Sequence, residues 1–369
     1  MTTLILALSL LILGITAANV IFWPRVRRSS PARADEVSVL IPARNEEENL
    51  PDCLNAVITQ GPVVREILVY DDHSTDRTAA VVEAAASLDP RVRLIAARPL
   101  EPGWTGKNFA CASLAQVASS RYLLFLDADV RLLPGAIDSL HTEMVRRRLD
   151  LLSCWPGLVT ISFWERTLMP MLNFVVFSIF PSPLSLFLGF PSLALAHGAC
   201  LFFDRRQYLA IGGHEAVRDQ IFEDTRLAQL WRQRRRRGLC LDGQDLIRVR
   251  MYGDLSGIWQ GFLKNFYPAF RREFSFWVFI LFHLLVALAP FAILPFRPDR
   301  RLLLAVTAVL VSRLLLAIRF RHSWSAVLLH PLAEVMLIVL GLTSWWKCRT
   351  GRGVNWKGRD YHKSEATPR

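Results

Sequence analysis

Three acidic clusters stand in fixed order along the chain: Asp71-Asp72 in YDDHSTDRT, Asp127-Ala128-Asp129 in YLLFLDADV, and Glu223-Asp224 in IFEDTRL. Each follows or borders an apolar stretch, so the carboxylates are expected at the edge of one folded domain. A D-x-D pair closing a buried strand can offer hard oxygen ligands to Mg²⁺ or Mn²⁺ while that cation holds a diphosphate. The chemistry this implies is recognition of a nucleotide-sugar donor.

The elements that must position these groups alternate between strand and helix. Val37 to Pro42 is a β-rich run, and RNEEENLPDCLNAVITQ after it predicts a helix with Asn45 as cap and Leu50, Leu54, Val57 and Ile58 at helical spacing. Strands are expected at Glu66 to Tyr70, Val92 to Ala97 and Tyr122 to Asp127, with a helix from Asn108 to Ala118. In open α/β sheets ligands sit outside the carboxyl ends of the strands, where Asp72 and Asp127 to Asp129 fall.

With 369 residues and 52% hydrophobic content, the chain can hold one ordinary domain and several membrane spans. Leu4 to Trp23 carries no charge and, at roughly 1.5 Å per residue, can cross a hydrocarbon core of about 30 Å. A cleaved signal peptide is the rival reading, opposed by the length of the apolar core and by Trp23-Pro24-Arg25, which lacks a small-residue cleavage site. Arg25, Arg27, Arg28 and Arg33 come after the span and no basic residue precedes it. The positive-inside rule therefore puts the domain after this span in the cytosol. The expected location is the inner (cytoplasmic) membrane, with several passes.

The net charge of +12 invites a nucleic-acid reading, with Arg234 to Arg237 as its best support. The basic residues instead mostly flank apolar segments without a nucleic-acid motif, as a lipid-facing surface would. No nucleic-acid partner is expected. Cys53, Cys111, Cys154, Cys200, Cys240 and Cys348 show no metal or redox spacing and read as reduced thiols.

VSVLIPARNEE, DDHSTDRT, GWTGKNFA, DAD and GGHEAVRDQIFED, in that order over Val37 to Gly238, resemble family 2 inverting glycosyltransferases of the GT-A fold. MYGDLSGIWQGFLKNFY and the tail GVNWKGRDY are similar to hopanoid-associated and carotenoid glycosyltransferases, membrane enzymes acting on apolar terpenoid lipids. The resemblance implies an α/β, Rossmann-like nucleotide-sugar domain flanked by transmembrane helices. It puts Pro42, Arg44 and Glu46 by the nucleoside, Asp71 or Asp72 on base and ribose, and Lys107 toward the diphosphate. Asp129 becomes the direct metal ligand and Asp127 a ribose or supporting group. The bland alternative for Asp71-Asp72 is an Asx turn opening a helix, and both can hold at once.

Inversion requires a base on the acceptor side, and Asp224 at a helix start is the choice, with Glu223 beside it. His73, His197 and His214 are candidates for polar support. Polymer-forming relatives carry Q-x-x-R-W after the ED pair; here Trp259, Gln260 and Lys264 stand in the comparable stretch. That departure favours single transfer over processive polysaccharide synthesis. The tail adds Trp356, Lys357 and Arg359 as acceptor or diphosphate candidates.

The expected organisation is a transmembrane helix at 1–24, a cytosolic GT-A domain at 35–250 interrupted by an interfacial or re-entrant apolar segment at 168–195, an amphipathic interfacial segment at 251–273, transmembrane helices within 274–346 and a basic tail at 347–369. Spans are expected at Phe274 to Phe296, Leu302 to Phe320 and Ser325 to Trp346, with Arg313 and Glu334 paired inside them. Three spans would leave the tail outside, whereas its basic residues favour the cytosol. Either one segment does not cross or the tail is external. A membrane nucleotidyltransferase and a non-catalytic scaffold are the other function classes. The first gives no reason for the lipid-facing segment, and the second requires the carboxylates to serve the fold alone.

Overall fold

Strands buried on both faces need apolar residues at nearly every position; YLLFL meets that demand throughout, VSVLIPA apart from Ser38, and VREILVYD only after Arg65 and Glu66. In the computed structural model, which describes residues 1–29, 36–270 and 272–350 and the backbone alone of 354–356 and 359–361, these become β1 (Val37–Ala43), β2 (Val64–Asp71) and, after β3 (Val92–Ile95), β4 (Tyr122–Leu126). The main sheet continues through β6 (Leu151–Trp155), β8 (Cys200–Asp204) and β9 (Gly238–Asp242) in the order β3-β2-β1-β4-β8-β6-β9. The first four strands are parallel; β8 is antiparallel to both β4 and β6. A second sheet joins β5 (Val130–Leu132), β10 (Ile247–Val249) and β7 (Gly157–Leu158).

The chain runs from β1 outward to β3 and then returns to the other side of β1 for β4. This reversal opens a crevice between the carboxyl ends of β1 and β4, the place where open α/β sheets take ligands. Arg44 follows β1 and Asp127 follows β4, so the topology sets them on the two sides of that crevice.

The chain divides into an α/β unit of Pro24–Val159 and Ser185–Arg250, and a helical unit of Met1–Trp23, Thr160–Leu184 and Met251–Arg369. The α/β unit begins at Pro24, before the expected start at 35, and excludes 160–184. Pro24 to Val26 pairs with Asp242 at the edge of the main sheet, through Val26 N–H to Asp242 O at 2.9 Å and Asp242 N–H to Pro24 O at 3.0 Å. Residues 160–184, which hold the helices Phe163–Leu168 and Pro170–Phe177, fall in the helical unit.

In the helical unit, Thr2–Phe22, Glu273–Ile293, Arg300–Phe320 and His330–Arg349 are long and apolar enough to cross a membrane. The second contains a π-helical stretch, His283–Leu288; Pro290, just beyond it, has no N–H to donate. The expected last span is divided, with a short helix Ser325–Leu328 before His330. The apolar segment 168–195 is likewise broken, into Pro170–Phe177, Ser182–Phe187 and a 3₁₀ turn at Pro191–Leu193. Its first break is held by Asn19: Nδ2 donates to the carbonyls of Phe177 and Phe180, both at 2.7 Å, and Oδ1 accepts from Ser182 N–H and Oγ–H at 2.9 and 2.7 Å. The amphipathic helix is Leu255–Asn265, capped by Asp254, and does not extend over the whole of 251–273.

Arg313 and Glu334 do not pair. Arg313 donates to the carbonyls of Pro170 at 3.2 Å and Ala326 at 2.6 Å, whereas Glu334 meets His283 Nδ1 at 3.0 Å. Breaks in the neighbouring helices supply the acceptors that the guanidinium would otherwise have needed from a carboxylate.

Candidate active site

β2 ends in Asp71, whose Oδ1 accepts the Ser74 N–H at 3.1 Å, while His73 adopts a left-handed φ of 54°. The Asp71 bond reaches three residues on, one further than an Asx turn, and the helix starts only at Thr78, where the Thr78 N–H donates to Asp76 Oδ1 at 3.0 Å. Asp72 is buried, and its N–H donates to Ala43 O at 2.8 Å, tying the end of β1 to the end of β2. Arg44 donates to the carbonyls of Asp72 and His73, and the Glu46 N–H donates to Thr78 Oγ1 at 2.8 Å. Asn45 is not a helix cap. Its φ is 52°, its Oδ1 accepts from Thr75 N–H at 2.8 Å, and the helix begins later, at Leu50–Ile58 after Asn49, with Pro51 in the first turn. Pro42 lies within β1. These loops form one braced rim.

The strongest electrostatic feature lies past β4. Lys107 Nζ sits 2.7 Å from Asp127 Oδ1 and 2.8 Å from Glu223 Oε1, joining two of the three acidic clusters. Burial opposes the ammonium, yet Asp127 and Glu223 outweigh it and hold Lys107 well above the ordinary lysine range. Lys107 is thus already paired, where the sequence suggested only a charge aimed at a diphosphate. Its helix, Gly106–Val117, starts from the Thr105 cap. The Asn108 amide donates to the carbonyls of Val217 at 2.7 Å, Arg218 at 3.2 Å and Gln220 at 2.9 Å, clamping the loop that leads into Glu223.

Asp224 opens the helix Glu223–Gln233. Burial first and the Glu223 carboxylate second push it up to about 7, against the Thr225 amide, Lys107 and the Gly198 amide, which favour the charged form. Such a carboxyl exchanges its proton near neutrality, as a general base must. Gly198 faces this cluster so closely that a Cβ there would lie 3.3 Å from Lys107 Nζ, 3.4 Å from Asp224 Oδ2 and 3.5 Å from Glu223 Oε1.

Sequence reasoning missed both Gly198 and Asn108. A glycine directly ahead of the ACLFF strand was the available signal for the first, since Gly beside a strand marks close approach; Asn108 had none beyond its place in the first turn of a helix. Of the three histidines, His197 borders the cluster and is buried. His214 is fixed through Nδ1 to Tyr208 Oη at 2.7 Å and is pushed down to about 3 by burial and then Lys107. His73 Nε2 meets Arg98 O at 3.3 Å.

Asp127 and Asp129 flank the turn between β4 and β5, both half-buried. Asp127 is engaged by Lys107, and Asp129 stands two residues on, across the turn. Among the described residues no group of three or more His, Cys, Asp or Glu could hold a metal. That donor set fits Mg²⁺ or Mn²⁺, which bind through one or two carboxylates and substrate phosphates, rather than an ion caged by protein. Trp259, Gln260 and Lys264 lie on Leu255–Asn265 of the helical unit, Trp259 half-buried and Gln260 exposed. Trp356 and Arg359 fall in the strands Val354–Trp356 and Arg359–Tyr361, and Lys357 lies outside the described residues.

Residues 38–211 match the family glycosyl transferase family 2. A 4,4'-diaponeurosporenoate glycosyltransferase of Staphylococcus haemolyticus is 30% identical over 221 residues, covering 58% of this chain and 56% of the relative, little more than half its length. The protein of the same name from Staphylococcus aureus strain USA300 is 24% identical over 347 residues, 89% of each chain. Among solved structures, the mannosyltransferase of Pyrobaculum calidifontis in complex with GDP-Man and Mn²⁺ superposes with a TM-score of 0.53 at 17% identity, over 93% of this chain and 99% of that one, a likeness of fold. Residues 38–211, a little under half of the chain, match glycosyl transferase family 2, the relatives are named as glycosyltransferases, and the sheet order and the superposition agree on the GT-A fold.

Proposed function

We propose that the chain transfers one sugar, with inversion, from a nucleotide sugar such as UDP-glucose to a hydroxyl or carboxyl of an apolar terpenoid lipid in the membrane. The observation that carries this reading is Asp224, held near neutrality beside Glu223 and Gly198 at the Lys107–Asp127 pair. An acceptor hydroxyl loses its proton to Asp224 as its oxygen bonds to the anomeric carbon, while the bond from that carbon to the diphosphate breaks and its electron pair leaves with the diphosphate. No covalent enzyme intermediate is required.

Lys107 supplies positive charge at the rim where the leaving group departs, its pairs with Asp127 and Glu223 keeping it protonated and oriented. Asp129 would hold the divalent cation, whose contribution is to stabilise charge growing on the diphosphate. Arg44, Glu46, Asp71, Asp72 and Pro42, on the braced rim, are assigned to the nucleoside, and Asp127 to the ribose or to Lys107 alone. Trp259, Gln260 and Lys264, with Trp356, Lys357 and Arg359 in the tail, are assigned to the acceptor side.

The relatives' name specifies 4,4'-diaponeurosporenoate, which supports a carotenoid-like acceptor. The four apolar helices support a multi-pass membrane protein, and Arg25, Arg27 and Arg28 after the first support a cytosolic catalytic unit. Purified protein in lipid nanodiscs, given labelled UDP-glucose, UDP-N-acetylglucosamine or GDP-mannose with a carotenoid acid or a hydroxyterpenoid, tests the reaction. Mass spectrometry of the lipid extract should find one added sugar with release of the nucleoside diphosphate. Release of pyrophosphate, or sugar polymers in place of the glycolipid, overturns the assignment.

A further inference from the structure

His197 lies at the turn into β8 with its backbone held on both sides by Ser153. The His197 N–H donates to Ser153 Oγ at 2.8 Å, and the same hydroxyl donates back to His197 O at 3.3 Å. The ring is held as well: it packs edge-on to Trp155, centroids 4.8 Å apart and planes at 80°, and is only 9% exposed.

Its tautomer follows from one bond. The Ala199 N–H donates to His197 Nδ1 at 3.2 Å, so Nδ1 carries no proton and the neutral ring bears its hydrogen on Nε2. Among the described residues no protein acceptor pairs with that Nε2–H. Asp127 and Lys107 are the groups whose charges act on the ring, and the next residue, Gly198, faces Lys107, Glu223 and Asp224. The chain thus presents one neutral hydrogen-bond donor, fixed in direction, at the border of a cluster of full charges.

We propose that His197 is a specificity-determining residue whose Nε2–H donates to one hydroxyl of the transferred sugar. The inference rests on the nucleotide-sugar reading given above. Phosphate oxygens are drawn to the full charge of Lys107, whereas a neutral, single, rigid donor adds little to holding an anion. Against a neutral hydroxyl the same donor discriminates, because a sugar without an oxygen at that point leaves a buried N–H unpaired.

The test compares UDP-glucose with its 2-, 3-, 4- and 6-deoxy analogues on three proteins in nanodiscs: wild type, His197→Phe and His197→Gln. Phe keeps an aromatic ring against Trp155 without a donor; Gln restores an N–H. In the wild type one deoxy analogue should lose about tenfold or more in kcat/KM beyond the others, the scale of one buried hydrogen bond. In His197→Phe, UDP-glucose itself should fall by a similar factor, and that analogue should suffer no further penalty. His197→Gln should recover part of the discrimination. UDP affinity should stay within about twofold in both variants.

A penalty for the same analogue that persists undiminished in His197→Phe overturns the proposal, as does a wild type indifferent to every missing hydroxyl or a variant that loses UDP binding. If wild-type protein neither binds UDP nor turns over any nucleotide sugar, the reading of the site itself fails, and the wild-type control reveals that separately.

Discussion

Replacing Asp224 with Asn removes the proton acceptor while keeping its shape. The carboxyl is pushed up to about 7, so roughly a tenth of it is ionised at pH 6, about half at pH 7 and roughly nine-tenths at pH 8. With a hydroxyl acceptor, wild-type kcat should climb about tenfold from pH 6 to 8 and level off above. Asp224→Asn should fall by about a hundredfold or more at pH 8, with the climb abolished and UDP affinity retained. A carboxylate acceptor arrives already deprotonated and should relieve much of both effects, so the pair of acceptors reports which group is glycosylated. Stability should move the other way. Because folding raises this carboxyl from an ordinary 3.8 to about 7, wild-type stability is lost as pH rises between those values and is flat above. Asn never ionises, so its melting temperature should match wild type near pH 4 and exceed it increasingly up to pH 7. A variant with wild-type turnover on a hydroxyl acceptor, or a wild-type profile flat from pH 6 to 8, refutes the base assignment.

Asp129→Ala should weaken UDP binding and turnover together and abolish the dependence of UDP affinity on Mn²⁺, read by calorimetry; unchanged metal dependence would remove Asp129 from the cation site. Gly198→Ala sets a methyl 3.3 Å from Lys107 Nζ and 3.4 Å from Asp224 Oδ2, and should cost about tenfold or more in kcat with little change in melting temperature. Trp259→Ala should raise the KM for a lipid acceptor while leaving UDP binding unchanged, and a collapse of donor binding would assign that helix to nucleotide support instead.

β1 and β4 were legible because each is a nearly unbroken apolar run that stops at a charged residue, Arg44 after Ala43 and Asp127 after Leu126, and β2 because its apolar run from Ile67 to Tyr70 stops at Asp71. Lys107 was legible as a cation in a glycine-bearing loop. Its pairing with both Asp127 and Glu223 was not, because Glu223 reaches it only through the fold and no local pattern encodes that meeting. Asn45 misled for a related reason: a good capping residue is used instead to hold Thr75, across two loops. Arg313 and Glu334 looked like partners because each is costly alone in an apolar helix. Helix breaks near Pro170 and Ala326, invisible to charge counting, offered Arg313 carbonyls.

The position of β8 carries a consequence for how the protein is made. This strand is hydrogen-bonded between β4 and β6, yet it is synthesised after both and after the apolar excursion 160–184. A nascent chain that has not reached Cys200 holds two strands with nothing between them, each an open template for pairing with the wrong neighbour. Birth order and spatial order disagree at the middle of the sheet. Ribosome-bound chains ending shortly before Cys200 should therefore be protease-sensitive through β4 and β6, and protection should arise only once Cys200–Asp204 has emerged.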